Sequence, residues 1–359
     1  MEKVLSSFLD ITIIIPAFQP DHNLTDLIQR LSEEKVSDIV IVDDGSGKEY
    51  RDIFRSISKL SNCVVLEHEV NLGKGRACKT AINYLVNRDA EALKGCVTTD
   101  CYGSFEVDDI LRIMKHLYEN RETLVLGKRI MDETNMSKAA KAGNKALKLS
   151  YHYLIGVDVT DPQTVLRGIP AGYMRKLLTT SGEQYDFDTQ MIIGCKKYKV
   201  DVKEITLSTE YTKRRNMVPM RTIKDNIPIY ITFAVYIFTS MLSSIVDIIL
   251  FSIFCGIFDN VKELKFASSY VMLATATARL FSATVSYFMN YRLVFKANNS
   301  KTKSFSKWVG LCIIQMAISA FTVSFLHNTF GGSEVLFKIP VDFALFFFMY
   351  YCSREFIYK

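Results

Sequence analysis

What the 359-residue sequence lacks narrows its chemistry first. No GxGxxG follows its first apolar run, and no GxxxxGK followed by Ser or Thr occurs anywhere, so the dinucleotide-binding and P-loop readings have no anchor. Its eight cysteines form no CxxC pair and no framework spacing, which argues against a disulfide scaffold and points to reduced thiols in cores. The early run ITIIIPAF is too short for a cleavable signal and has no basic leader. Charge is also missing, but only from one half of the chain. The overall values, 49% hydrophobic residues and a net charge of +6, average two unlike regions.

Up to about Pro219, charged and apolar residues mix at globular density. Beyond it, Ile227–Phe258 holds Asp247 as its one charge, and Ser268–Met289 holds only Arg279. Trp308–Phe330 contains no Lys, Arg, Asp or Glu, and Val335–Cys352 only Lys338 and Asp342. A bilayer core of about 30 Å takes about 20 apolar residues per helix. The four runs therefore read as transmembrane helices near 228–252, 268–290, 308–328 and 335–353, in a membrane domain spanning 223–359. Buried helices of a soluble domain would account for one such run better than for four in a row. The link YRLVFKANNSKTKSFSK carries Arg292, Lys296, Lys301, Lys303 and Lys307, while the other two links are nearly neutral. By the positive-inside rule, this link, the N-terminal domain (1–222) and the C-terminus with Arg354 and Lys359 are expected in the cytoplasm. Beside four spans, the basic face suits anionic lipid better than nucleic acid. Asp247, Arg279 and Asp342 are costly in hydrocarbon and are expected to face protein or a polar cavity, either as mutual ion pairs or against a lipid-phosphate headgroup.

In the N-terminal half, β-rich apolar runs alternate with amphipathic ones: DITIIIPAF, NLTDLIQRL, DIVIVDD, YRDIFRSISKL, CVVLEHEV, ACKTAINYLV, GCVTTD, ILRIMKHLYE and TLVLGKR. The alternation predicts an α/β, Rossmann-like domain with a mostly parallel sheet and right-handed crossovers. Ligands of such sheets bind beyond the carboxyl ends of the strands. Pro16-Ala17-Phe18, Asp43-Asp44-Gly45-Ser46, the loop NLGKGRA (Asn71–Ala77), Asp100 and Gly127-Lys128-Arg129 all fall there. Asp43 and Asp44 could be turn chemistry alone. Two adjacent carboxylates exceed what a cap needs, and acceptor-only side chains suit a base N–H and ribose hydroxyls. Gly73 and Gly75 permit close approach, and Lys74 and Arg76 add charge before a helix begins, so the loop can hold a phosphate. A solvated basic loop is the plain alternative. SKAAKAGNKALKLSYHYLIG, near 137–156, sets Lys138, Lys141, Lys145 and Lys148 among small and apolar residues and reads as an interfacial amphipathic helix.

Over about Asp10–Tyr211, the ordered set IIIPAF, VDDGSG, NLGKGRA, TTDCYG, LGKR, DPQTVLR and YDFDTQM resembles family 2 glycosyltransferases of the GT-A fold. The likeness is greatest to polyprenyl-phosphate glycosyltransferases related to dolichol-phosphate mannose synthase. The last four helices resemble a GtrA-like domain through Arg279 and NYRLVF at Asn290–Phe295. QxxRW, the mark of processive polysaccharide synthases, is absent, since the sole tryptophan, Trp308, lies in KWVG. The resemblance implies inverting transfer of a sugar from a nucleotide-diphosphate sugar to a membrane polyprenyl phosphate, for cell-envelope glycosylation, and it leaves room for a homo-oligomer. It implies nucleotide binding by Pro16, Ala17, Phe18, Asp43, Asp44, Lys74 and Asp100. Arg129, Arg167, Arg214 and Arg215 are the implied phosphate and acceptor ligands, and Asp100, Asp161 and Asp188 take catalytic or orienting roles. DPQTVLR departs from the family in having Val165 where Gly is usual.

One segment departs further. In TTDCYGSF, Asp100 keeps the first place of the family's Asp-x-Asp metal motif, Tyr102 replaces the second Asp, and Ser104 stands where Gln is common. A neutral phenol is a poor ligand for Mg²⁺ or Mn²⁺. Three readings stay open. The ion is held by Asp100, donor diphosphate and water, with help from Glu106; or Lys74 and Arg129 replace it; or the domain binds without turnover. The last is the route to a second function class, a glycolipid transporter or scaffold carrying a degenerate nucleotide-binding domain.

Overall fold

The computed structural model describes residues 10–88, 92–130, 145, 147–210, 227–259, 269–295, 300–330 and 334–358. The chain divides into two compact units, Met1–Ile229 and Tyr230–Lys359. The first contains β1 (Thr12–Ala17), α1 (His22–Glu33), β2 (Ile39–Asp43), α2 (Arg51–Ile57), β3 (Cys63–Glu67), α3 (Lys74–Arg88) and β4 (Gly95–Thr98). It continues with α4 (Val107–Glu119), β5 (Thr123–Ile130), β6 (Arg167–Pro170), α5 (Ala171–Leu177), α6 (Asp186–Tyr198) and β7 (Asp201–Glu210). The strands form one sheet in the order β3-β2-β1-β4-β6-β5-β7. β6 is antiparallel to β4 and β5, and the other pairings are parallel.

Helices on both faces explain why β1, β2 and β4 read as unbroken apolar runs. Successive side chains leave opposite faces of a strand. Ile13 and Ile15 therefore pack in the layer of α1 and α4, with Leu24, Ile28, Ile113 and Leu117. Ile14 packs on the other side, with Ala81 and Leu85 of α3 and Met191 and Ile192 of α6. On α1, the buried residues Leu24, Leu27, Ile28 and Leu31 form one stripe. Asp21 starts that helix by accepting a hydrogen bond from the Asn23 N–H at 3.0 Å. The registers Ala17–Asp43 and Asp43–Glu67 bring the ends of β1, β2 and β3 level, and Thr98–Arg167 sets the start of β6 beside the end of β4. One edge of the sheet thus gathers the polar strand-end motifs.

Of the expected interfacial helix near 137–156, residues 137–144 and 146 lie outside the described residues. Its described end is not wholly interfacial: Leu147, Tyr151 and Ile155, four apart, are buried in the second core layer. Leu149 and Tyr153 stay exposed.

The second unit contains α7 (Ile227–Asp259) from Tyr230 onward, α8 (Ser269–Met289), α9 (Lys301–Phe330) and α10 (Glu334–Cys352). Among the described residues, one stretch, Ala234–Phe254, is long and apolar enough to cross a membrane, with mean hydropathy 2.1. Large apolar side chains point outward, Phe238, Ile248, Phe321 and Phe343 all being more than 60% exposed. The polar groups turn to protein partners: Ser282 Oγ donates to Asp247 Oδ1 at 2.7 Å, and Thr239 Oγ1 to Asn290 Oδ1 at 2.9 Å. The side chains of Arg279 and Asp342 lie outside the described residues.

Candidate active site

Asp44 directly follows β2 and is almost fully buried. Its carboxylate accepts from the N–H groups of Leu72 (2.9 Å) and Gly73 (2.8 Å) and from His68 Nδ1 (2.7 Å). His68 Nε2 in turn lies 2.9 Å from Thr80 Oγ1 on α3. Asp44 therefore bolts the NLGKG loop to the end of β2. Asp43 acts one position earlier, accepting from the Ser46 N–H at 2.9 Å to close the Gly45-Ser46 turn. The glycines after it hold the loop against protein. Gly73 has φ +103, and a Cβ there would lie 2.4 Å from the Glu183 carbonyl oxygen; one on Gly75 would lie 2.6 Å from Phe187 Cβ. The close approach that the sequence suggests for a ligand is thus made at these positions by the segment Glu183–Phe187.

That segment locks onto α3 in several places. Glu183 pairs with Arg76 Nε at 2.7 Å and Lys79 Nζ at 3.0 Å, and its carbonyl accepts from the Arg76 N–H at 3.0 Å. Lys74 Nζ donates to Asp188 Oδ2 at 2.7 Å and lies 5.8 Å from the centroid of the Tyr185 ring. The two motifs NLGKGRA and YDFDTQM, 114 positions apart at that ion pair, form one wall. Behind it, Arg167 is fully buried and donates to the carbonyls of Thr164 (2.9 Å), Asp188 (2.7 Å) and Pro162 (2.8 Å). Among the expected phosphate ligands, this one is a brace for the turn before β6 and the start of α6.

In front of that wall is a cavity of about 250 Å³. Pro16 and Ala17 of β1 and Phe18 just after it, with Asp44, Lys74 and Asp100, contribute to its lining. Asp43 does not line it. Asn71 and Tyr185, the first residues of NLGKGRA and YDFDTQM, also do, and so does Gln184, which the sequence reading missed. Its one signal was adjacency to YDFD.

Asp100 follows β4 and is buried. Its Oδ1 accepts from the N–H groups of Tyr102 (3.0 Å) and Ser104 (3.2 Å). Its Oδ2 is buried with no hydrogen-bond partner. Leaving a buried charged acceptor unmade costs more than the roughly 1–3 kcal/mol of a neutral one, which a fold does not sustain without compensation. Tyr102 does not complete a pair of ligands. Its hydroxyl donates to the Phe18 carbonyl at 3.4 Å, and burial holds its pKa well above the usual phenol value. Glu106 turns away, bonded to Arg30 at 3.1 Å. Among the described residues no group of three or more His, Cys, Asp or Glu is placed to hold a metal ion. The donor set fits an ion that takes one protein oxygen, Asp100 Oδ2, and its other ligands from substrate and water.

A second charged centre stands at the end of β5, outside the cavity lining. Arg129 donates through Nε and a terminal nitrogen to the two oxygens of Asp161, both at 2.7 Å, and its backbone N–H reaches Asp161 Oδ2 at 3.2 Å. Asp161 is buried, whereas Arg129 keeps partial exposure. Glu204 on β7, absent from the sequence expectations, accepts from the N–H groups of Thr160 and Asp161. Arg214 and Arg215 lie outside the described residues.

Comparison with known proteins finds relatives for both parts of the chain. The model of Glycosyl transferase family 2 matches residues 12–180, and that of the GtrA/DPMS transmembrane domain matches residues 235–358. An uncharacterized protein of Methanocaldococcus jannaschii is 27% identical over 208 residues, covering 57% of this chain and 83% of that one. The UDP-N-acetylglucosamine–dolichyl-phosphate N-acetylglucosaminyltransferase of Methanococcus voltae is 27% identical over 220 residues, covering 56% and 86%. A dolichyl-phosphate beta-glucosyltransferase of Trichomonas vaginalis is 25% identical over 218 residues, covering 55% and 64%. Residues 12–180 are thus a family 2 glycosyltransferase domain, residues 235–358 a GtrA/DPMS transmembrane domain, and the chain is a glycosyltransferase.

Proposed function

We propose that the enzyme transfers a sugar from a nucleotide-diphosphate sugar to a membrane polyprenyl phosphate, inverting the anomeric carbon, to supply cell-envelope glycosylation. The observation that carries this reading is the meeting of an unpartnered carboxylate oxygen, Asp100 Oδ2, with Lys74 in one strand-end cavity, in a chain that also carries a GtrA/DPMS membrane domain. The acceptor phosphate is already an anion, so it needs orientation more than deprotonation. Arg129 offers bidentate phosphate geometry at the end of β5, steadied by Asp161. Lys74 exchanges its partner Asp188 for the donor's diphosphate and stabilises the charge that develops on the leaving nucleotide. Asp100 would hold a Mg²⁺ or Mn²⁺, which would supply positive charge at the donor's diphosphate. We read α7 to α10 as four spans, with both termini and the catalytic domain in the cytoplasm.

The test is nucleoside-diphosphate release from a panel of nucleotide sugars by the full chain in nanodiscs, with and without polyprenyl phosphate. Release that depends on the acceptor is expected. Binding of nucleotide sugar without release for every donor would instead support the transporter or scaffold reading, for which Tyr102 in the metal motif is the favouring feature. Lys301→Cys should label only from the cytoplasmic face, and labelling from outside would overturn the topology.

A further inference from the structure

We propose that Glu204 is the positioning residue that sets Arg129 for the acceptor phosphate, a role resting on the assignment of Arg129 above. Glu204 sits on β7 opposite Leu126 of β5. Its Oε1 accepts from two successive backbone N–H groups, Thr160 at 2.7 Å and Asp161 at 2.8 Å, and its Oε2 accepts from Thr160 Oγ1 at 2.6 Å. Two consecutive amides aimed at one oxygen fix the peptide plane between them, because neither can rotate without losing its bond. That fixed plane determines where the Asp161 side chain leaves the loop.

Asp161 leaves it toward β5, where both its oxygens meet the guanidinium of Arg129 at 2.7 Å. The β5–β7 ladder changes register beside Arg129: Lys128 pairs with Thr206 and Ile130 with Glu210, so the extra residues lie on β7. β7 holds the loop, the loop holds Asp161, and Asp161 holds Arg129. A bidentate guanidinium–phosphate contact depends on the orientation of a planar group, and a lysine or a misplaced arginine does not reproduce it. Truncating Glu204 therefore releases the loop and leaves Arg129 charged but unaimed.

The isosteric amide makes the claim specific. In Glu204→Gln the remaining oxygen can accept from both amides, and the new NH₂ can donate to Thr160 Oγ1, so the geometry survives without the charge. Glu204→Ala loses all three bonds. With the full-length enzyme in nanodiscs, KM and kcat are measured separately for donor and acceptor, with donor affinity by calorimetry as the check on folding. Glu204→Ala should raise the acceptor KM about tenfold and leave the donor KM within about twofold, Glu204→Gln should stay within about threefold of wild type, and Glu204→Ala should be non-additive with Arg129→Lys. Equal loss of donor and acceptor binding, or full additivity with Arg129→Lys, would overturn the proposal in favour of a purely structural cap. If Arg129→Lys raises the acceptor KM and Glu204→Ala does not, positioning by Glu204 fails alone. An unchanged acceptor KM in Arg129→Lys instead sinks the assignment of Arg129, and this proposal with it.

Discussion

The carboxylates at the sheet's polar edge work in two ways. At the ends of β2 and β4, Asp43, Asp44 and Asp100 accept hydrogen bonds from backbone N–H groups, and so they shape loops. Asp161 and Asp188, reached across long stretches of sequence, hold the side-chain cations Arg129 and Lys74. A carboxylate bonded to backbone cannot change partner without breaking the loop it shapes. One bonded to a side-chain cation governs where positive charge stands: Asp188 can give Lys74 to an incoming phosphate, whereas Asp161 keeps Arg129 aimed. The first group builds the cavity, and the second stores or aims charge for substrate.

If that contrast holds, the largest effect belongs to Asp44. Asp44→Ala strands two backbone N–H groups and His68, a loss on the order of several kcal/mol concentrated in one loop. Nucleotide-dependent thermal stabilisation should vanish, and full retention of it would remove Asp44 from the site. Asp188→Asn tests the other kind of carboxylate. Lys74 then lacks its charged partner, so donor affinity should hold within about threefold while turnover falls about tenfold or more. Parallel collapse of both would erase the distinction between the two groups.

A smaller effect is expected from Tyr102→Asp, which restores a second carboxylate beside Asp100. Mn²⁺ titration should find weak binding to the wild-type protein alone, stronger binding with nucleoside diphosphate, and a gain for the variant alone. Tight binding by the nucleotide-free wild type would show that Tyr102 had cost the site nothing. The smallest effect concerns Cys101. Burial, with the Asp100 carboxylate adding to it, pushes this thiol up to about 12. Thiolate is the reactive form, so maleimide at pH 8 should label Cys101 far more slowly than an exposed thiol. Rapid labelling would mean that the loop after β4 opens, against the rigidity inferred from its backbone bonds.

Much of this was legible in the sequence. Unbroken apolar runs such as ITIII and IVIV mark strands covered on both faces, and parallel strands of that kind carry their polar residues at their carboxyl ends. Pro16, Asp44, Lys74 and Asp100 could therefore be placed together before any coordinates. Glu204 could not, because a Glu in VKEITL looks like any solvent-facing strand residue. Arg167 misled for a related reason: an arginine beside a motif suggests phosphate, and nothing local reveals that three carbonyls surround it.

The sequence by itself determined the alternation of strands and helices, the apolar second half and the set of polar residues at strand ends, since all of these follow from local periodicity and chain direction. Only the tertiary structure decided which carboxylate meets which partner. It put Gly73 and Gly75 against Glu183 and Phe187, joined Lys74 to Asp188, and left one oxygen of Asp100 without a bond. Those pairings join residues tens to more than a hundred positions apart. Hydrogen bonds act over about 3 Å, and only the packed fold sets distances on that scale.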